Sequence, residues 1–256
     1  MTTSGTTGAL PPFFRLAAFD TLASTSDEAR RLARNGAPEG TMVMARIQTA
    51  GRGRQGRTWV SQPGNLHASL LLRPDAPMAR VAQLGFAAGL AVADAVHAFA
   101  PKASVTLKWP NDVLLDGRKA AGILLESEGD AAGRVAFVVM GIGVNLAASP
   151  VGTEFPATSL KAAAGTAPKP EAFLAALAPA LTLWYERWRA DGFAGLRRAW
   201  LERAAGLGQA LRARLPGETV EGRFAGLDDD GMLLLDAPGG RRRIAAGDVF
   251  PMVVES

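Results

Sequence analysis

The run Gly51-Arg52-Gly53-Arg54-Gln55-Gly56-Arg57-Thr58-Trp59 constrains the fold more than any other part of the chain. Gly51, Gly53 and Gly56 have the spacing G-x-G-x-x-G, which marks a dinucleotide-binding turn only when it joins a strand to a helix. A strand is expected before the run, because Thr41 to Gln48 is rich in β-branched and apolar residues. No helix is expected after it, since Thr58-Trp59-Val60-Ser61-Gln62-Pro63-Gly64 is β-prone and then turns. A Rossmann unit is therefore excluded, and no G-x-x-x-x-G-K-[ST] phosphate loop occurs in the chain. The run still suits an anion. Its glycines let the backbone approach a ligand closely, and its arginines supply planar, permanently charged donors for phosphate or carboxylate oxygens.

The rest of the pattern alternates strands and helices. Ser24-Thr25-Ser26-Asp27-Glu28 opens a helix that continues to Arg34, with Thr25 and Glu28 at capping-box spacing. Strands are expected over Leu66 to Leu72, Val105 to Trp109, Asn111 to Leu115, Lys119 to Glu126 and Arg134 to Asn145. Pro110 halts one of them, and Asp116-Gly117 makes a hairpin turn. Gly141 and Gly143 let the last of these strands pass close to a ligand. Helices are expected over Ala79 to Ala100, Glu171 to Ala190 with a bend at Pro179, and Phe193 to Ala205. After Gly206 come five short strands, Gln209 to Leu215, Thr219 to Leu227, Gly231 to Asp236, Arg241 to Ala245 and Val249 to Val254. Glycine-containing turns separate them, a pattern that predicts a small barrel.

Composition narrows the chemistry. The 256 residues allow one large domain or a medium domain and a small one. The absence of cysteine excludes disulfides and thiol catalysis. Two histidines, His67 and His97, argue against a His-rich metal site and read as structural. A net charge of +4 permits nucleic-acid binding without requiring it. Met1 to Pro12 lacks the basic start and apolar run of a signal peptide and reads as a disordered tail. Leu84 to Ala100 is interrupted by Asp94 and His97, so it reads as a buried helix and not a membrane span. A cytoplasmic protein is expected.

Four segments taken together resemble one family. Gln48 to Trp59, Lys108-Trp109-Pro110-Asn111-Asp112-Val113, Arg118-Lys119-Ala120-Ala121-Gly122-Ile123-Leu124-Leu125-Glu126 and Gly141-Ile142-Gly143-Val144-Asn145-Leu146 are similar, in order and spacing, to the signature segments of biotin–protein ligases. The resemblance implies an α+β fold: a mixed-sheet catalytic domain related to class II aminoacyl-tRNA synthetases, then a small SH3-like β-barrel. The corresponding boundaries are a tail at 1–12, a catalytic domain at 13–206 and a C-terminal domain at 207–256.

It also implies a two-step reaction, in which ATP activates biotin as biotinyl-5′-AMP and a lysine of a biotin carboxyl carrier protein, such as that of acetyl-CoA carboxylase, then takes the biotin. By the same resemblance biotin meets Ser24, Thr25, Ser26, Gln48, Gly51, Arg52, Gly53, Arg54, Lys119 and Gly122. ATP meets Arg52, Arg54, Trp59, Asn111, Asp112, Lys119 and Asn145. Arg54, Lys119 and Asp112 carry the catalysis. Mg²⁺ comes with ATP near Asp112 and Asn145, with no metal held by protein side chains alone.

The chemistry of these residues agrees with that assignment, because joining a carboxylate to a phosphate needs fixed cations, each charged hydrogen bond contributing about 1.5–3 kcal/mol. Ser26 stands where the family often has Asn and has a shorter reach. Arg57 suits either the ligand or the frame of the loop, Lys108 suits either the site or the strand surface, and Trp59 and Trp109 also suit packing. Only about a dozen residues precede the catalytic region, so no DNA-binding domain is expected; a homodimer is compatible with the sequence. A lipoate–protein ligase and a nucleic-acid-binding module are the competing functions. The first lacks this glycine–arginine loop, and the second would have only Phe224 and Phe250 to stack bases in its barrel.

Overall fold

Apolar and β-branched runs lay down a seven-stranded mixed sheet in the computed structural model, which describes residues 10–252. Its strands are β1 (Arg15–Leu22), β2 (Thr41–Gln48), β3 (Leu66–Leu72), β4 (Val105–Lys108), β5 (Asp112–Leu115), β6 (Arg118–Gly129) and β7 (Val135–Val144), in the order β1-β2-β3-β7-β6-β5-β4. β1 and β2 run parallel, joined by helix α1 (Thr25–Arg34); every other pair is antiparallel. β1 is not expected from sequence. Its side chains are largely exposed, and its place comes from pairing along the edge of β2. All seven residues of β3 are buried, as a central strand covered on both faces requires.

Helix α2 (Gln83–Phe99) is apolar or small almost all round, so it must be covered on every side. It lies between β4, β5 and β6 and the helices α4 (Pro170–Asp191) and α5 (Phe193–Leu201). A smaller core on the other face joins Ala29 and Ala33 of α1 to Val43, Leu71 and Val139. A short helix, α3 (Leu160–Ala164), is also not expected from sequence. Residues 78–99 form the one segment among the described residues long and apolar enough to cross a membrane, and 78% of its most apolar window is buried in the protein.

Several boundaries move for identifiable reasons. Ser24, not Thr25, caps α1: its Oγ accepts from the Asp27 N–H at 3.4 Å, while Glu28 pairs with Arg31. The helix expected from Ala79 starts at Gln83, after a 3₁₀ turn over Met78–Arg80. The helix expected to reach Ala205 stops at Leu201, because Arg203 and Ala205 exchange backbone hydrogen bonds with Leu107 of β4 at 2.8 Å each.

The C-terminal strands are β8 (Ala210–Leu215), β9 (Glu218–Leu227), β10 (Leu233–Ala237), β11 (Gly240–Ile244) and β12 (Asp248–Pro251). They form an antiparallel sheet in the order β11-β10-β9-β8-β12. Among the described residues the ladders run from β11 to β12, and none joins those two strands to each other. The arginines of β11 are exposed and pair with Asp236, Glu218 and Asp228. Residues 1–9 of the expected tail and 253–254 of the expected last strand lie outside the described residues.

Trp109 fastens this sheet to the larger one. Its Nε1–H donates to the Gly231 carbonyl at 3.1 Å. Gly231 has φ +84°, and a Cβ there would stand 2.7 Å from the Phe86 ring. Only glycine gives both that conformation and that approach.

Candidate functional site

A cavity of about 300 Å³ opens where the ends of β2, β5, β6 and β7 meet the glycine–arginine loop and β12. The fold brings together at its wall Ser24, Thr25, Ser26, Gln48, Arg52, Gly53, Arg54, Trp59, Asn111, Asp112, Lys119, Gly122 and Asn145. Gly51 lies behind them. A Cβ on it would come within 2.7 Å of the Trp59 carbonyl and 2.9 Å of Ser61 Oγ, so glycine lets the loop close on itself there.

The loop is a small hairpin. The Trp59 N–H donates to Gly51 O at 2.9 Å and the Gly53 N–H to Arg57 O at 2.7 Å, and the tip turns through Gln55 at φ 55° and Gly56 at φ 73°. Its three arginines therefore point to different places. Arg52 pairs with Asp27 of α1 at 2.6 and 2.7 Å and reaches Glu126 at 3.3 Å. Arg57 is ion-paired with Asp248 and takes Gln55 Oε1 at 2.9 Å. Arg54 enters the cavity, where its one side-chain hydrogen bond among the described residues is to Asn111 Oδ1 at 3.4 Å. Burial lowers its pKa, with Asp248 and Asp112 acting in the opposite sense.

The turn from β4 to β5 supplies the acid. Lys119 Nζ lies 2.6 Å from Asp112 Oδ1, a charge contact whose angles are not those of a hydrogen bond. Lys108 Nζ donates to Asp112 Oδ2 at 3.4 Å. Lys108 is buried, with Nζ 4.6 Å from the centre of the Phe155 ring, so of its two readings the strand surface is excluded. Burial lowers its pKa, and Asp112 opposes that shift.

Trp59 lies across two glycines paired in register, Gly122 of β6 and Gly143 of β7. A Cβ at Gly143 would stand 2.4 Å from its indole. Asn145, at the end of β7, donates to Thr158 O at 3.0 Å and keeps a buried Oδ1 without a hydrogen-bond partner among the described residues.

At the other end the lining is neutral. Gln48 Oε1 accepts from the Thr25 N–H at 2.8 Å and from the Thr25 hydroxyl at 3.0 Å, and Gln48 Nε2 donates to Ser61 Oγ at 3.0 Å. Ser69 of β3 joins this group from beneath and carries no sequence signal. Phe155, Asp248 and Phe250 also line the cavity and were not identifiable from the sequence. The two from β12 lie beyond the expected domain boundary, where no motif marks them.

One end of the cavity thus suits an uncharged polar ring, and the other suits anionic oxygens between Arg54 and Lys119. Residues 19–145 match the biotin/lipoate A/B protein ligase family, and 206–251 match the biotin protein ligase C terminal domain. The chain is 47% identical over 233 residues to the biotin–[acetyl-CoA-carboxylase] ligase of Paracoccus denitrificans, covering 89% of this chain and 96% of that protein. It belongs to the biotin–protein ligase family.

The fold of this ligase is also that of solved relatives. It is similar to the biotin protein ligase from Aquifex aeolicus in complex with biotin and ATP, with a TM-score of 0.80, 26% identity, and coverage of 93% of this chain and 99% of that one. It is similar to the biotin protein ligase from Leishmania major in complex with biotinyl-5-AMP, with a TM-score of 0.67, 26% identity, and coverage of 92% and 100%. The described residues of this ligase contain no group of three or more His, Asp or Glu placed to hold a metal. Both Asp112 oxygens face lysine ammonium groups, and Asn145 offers only a neutral amide oxygen. That set does not fit a protein-held Mg²⁺.

Proposed function

We propose that this enzyme activates biotin with ATP and then transfers it to protein. The carboxylate oxygen of biotin attacks the α-phosphorus, the bond to the β-phosphate bridging oxygen breaks, and pyrophosphate leaves biotinyl-5′-AMP behind. A lysine amine of a biotin carboxyl carrier domain then attacks the acyl carbon, releasing AMP and a proton. The observation that carries this reading is the convergence of Arg54 and Lys119 on one cavity whose far end is lined by Ser24, Thr25, Ser26 and Gln48.

Lys119 offsets the negative charge that builds as the two anions meet, and Asp112 holds it there. Arg54 covers the phosphate side. Trp59, Asn111 and Asn145 take the nucleotide, while Gly51, Gly53 and Gly122 leave room for both substrates beside the main chain. Arg52 joins them by leaving Asp27 when the loop meets an anionic ligand. Mg²⁺ accompanies ATP on its phosphates.

The division falls near residue 206, with a C-terminal unit that we read as a barrel of the SH3 type. ATP use and the lack of cysteine suit the cytoplasm. The match of 206–251 to a biotin-ligase C-terminal domain favours biotin over lipoate.

The test supplies purified protein with biotin, Mg·ATP and a carrier domain and looks for biotinylated lysine. Lipoyl-lysine in its place, with no biotin product, would overturn the reading. Lys119→Ala is expected to abolish adenylate formation. Near-normal turnover in that variant would remove Lys119 from the mechanism.

A further inference from the structure

The hydroxyl cluster beneath the cavity has a hydrogen-bond direction that one backbone group dictates. The Thr25 N–H can only donate, so the Gln48 atom it meets at 2.8 Å is the carbonyl oxygen Oε1. That oxygen can only accept, so the Thr25 hydroxyl, 3.0 Å away, gives it its single hydrogen. Thr25 Oγ1 and Ser69 Oγ are 2.8 Å apart, and with the threonine hydrogen spent, Ser69 donates to Thr25. Ser69 Oγ and Ser26 Oγ are 3.1 Å apart, and with the Ser69 hydrogen spent, Ser26 donates to Ser69.

The relay ends at Ser26, which lines the cavity. Its hydrogen is used internally, and no donor among the described residues engages either lone pair of its oxygen. Ser69 is 0% exposed and does not line the cavity, so it acts only through its neighbours. Gly141, paired with Ser69 in register, keeps the space open, because a Cβ there would come within 2.9 Å of Ser26 Oγ.

We infer that Ser69 is a positioning residue that makes Ser26 a hydrogen-bond acceptor toward the ligand, so this end of the cavity selects a substrate ring carrying an N–H donor. The inference rests on biotin being the substrate. A ureido ring offers two N–H groups, whereas a dithiolane ring offers none. The relay therefore supplies a physical reason for choosing biotin over a lipoyl-type acid, and it works with serine at position 26.

Binding of biotin and of the two mono-N-methyl biotins, each lacking one ureido donor, tests this on the full-length protein. The parent is expected to bind one methylated isomer markedly more weakly than biotin. Ser69→Ala should weaken biotin about three- to tenfold, the loss of one neutral hydrogen bond, and narrow that preference by the same factor. Ser26→Ala should do the same, and the double variant should be no worse than Ser26→Ala alone.

A merely structural role for Ser69 would weaken all three ligands alike, and that result would overturn the relay. So would an unchanged preference in Ser69→Ala. If Ser69→Ala does not fold, Ser69→Cys, whose thiol fills the same space and donates only weakly, carries the same comparison. A parent that binds no biotin would sink the functional reading itself, whereas a parent that binds biotin beside an unchanged Ser69→Ala sinks only the relay.

Discussion

Arg57 in the glycine–arginine loop is ion-paired with Asp248 at the start of β12, which ties the loop to the C-terminal sheet. Arg214 of β8 approaches the same carboxylate at 3.4 Å and holds Glu154 at 2.6 Å. Burial acts to raise the Asp248 pKa, but the bonds from Arg57 and Arg214 outweigh it and hold the carboxyl below its usual range. Asp248→Asn is therefore expected to leave biotinyl-5′-AMP formation in place and to speed its escape. Because Arg57 is about half exposed, the pair contributes on the order of 0.5–1 kcal/mol, or about two- to fivefold in off-rate. Timed gel filtration of the enzyme-bound adenylate measures it. Retention equal to the parent's would rule the tie out, and the charge-reversed double variant R57D/D248R should recover part of the loss.

Asp112 is the shared counter-ion of two lysines. Asp112→Asn keeps the shape and removes the charge, leaving buried Lys108 without its counter-ion. We expect a loss of about 2–4 kcal/mol of stability, limited by loss of the Lys108 proton, together with a large fall in the rate of the first step. Urea unfolding and single-turnover adenylation report the two effects separately. Unchanged stability with slow chemistry would mean that Asp112 serves the ligand and not the lysines.

The Trp59 platform makes a steric prediction. Gly143→Ala would put a methyl group 2.4–2.8 Å from three indole atoms, so the ring must leave its place. Substrate binding is expected to weaken at least about tenfold, with a red shift in Trp59 emission as the ring enters water. Gly195→Ala is the control: nothing lies within 4 Å of that Cβ, it sits within a helix, and stability should hold or rise slightly. Parent-like affinity in Gly143→Ala would show that the platform has no part in binding.

His67 sets a pH dependence. It is 1% exposed, its Nδ1 has no hydrogen-bond partner among the described residues, and burial pushes its pKa below the ordinary 6.5 against a weak bond to Gln62 O. The unfolded chain then takes up the proton more readily than the folded one. The contribution to stability is complete above pH 6.5 and is lost as pH falls from there through the lowered folded value. Urea midpoints should decline between pH 7.5 and pH 5.5 in the parent and stay flatter in His67→Gln. A matching slope in both would assign the dependence to another group.

Local signals located much of the fold. Thr41–Gln48, rich in β-branched residues, and Leu66–Leu72, rich in leucine, are strands over the full expected spans because Gly and Pro punctuation bounds both runs. β1 escaped because Arg-Leu-Ala-Ala-Phe-Asp-Thr-Leu has weak alternation and is held by its neighbour, not by its own preference. The C-terminal unit follows the same rule: its five strands are legible locally, whereas the order β11-β10-β9-β8-β12 depends on pairing between distant stretches, such as β12 with β8.

The candidate site divides in the same way. The amino-acid sequence by itself determined the glycine–arginine loop, the Lys108–Asp112 turn and the glycines of β6 and β7, because close backbone approach and fixed charge demand particular residue types at particular spacings. Tertiary structure alone decided which arginine goes where: Arg52 to Asp27, Arg57 to Asp248 and Arg54 into the cavity. It also decided that Lys108 and Lys119 share Asp112 and that Ser69 sits beneath Ser26. Most of these partners are separated by tens of residues, and by 191 for Arg57 and Asp248. Their meeting depends on strand register and side-chain direction, which no local stretch of the chain encodes.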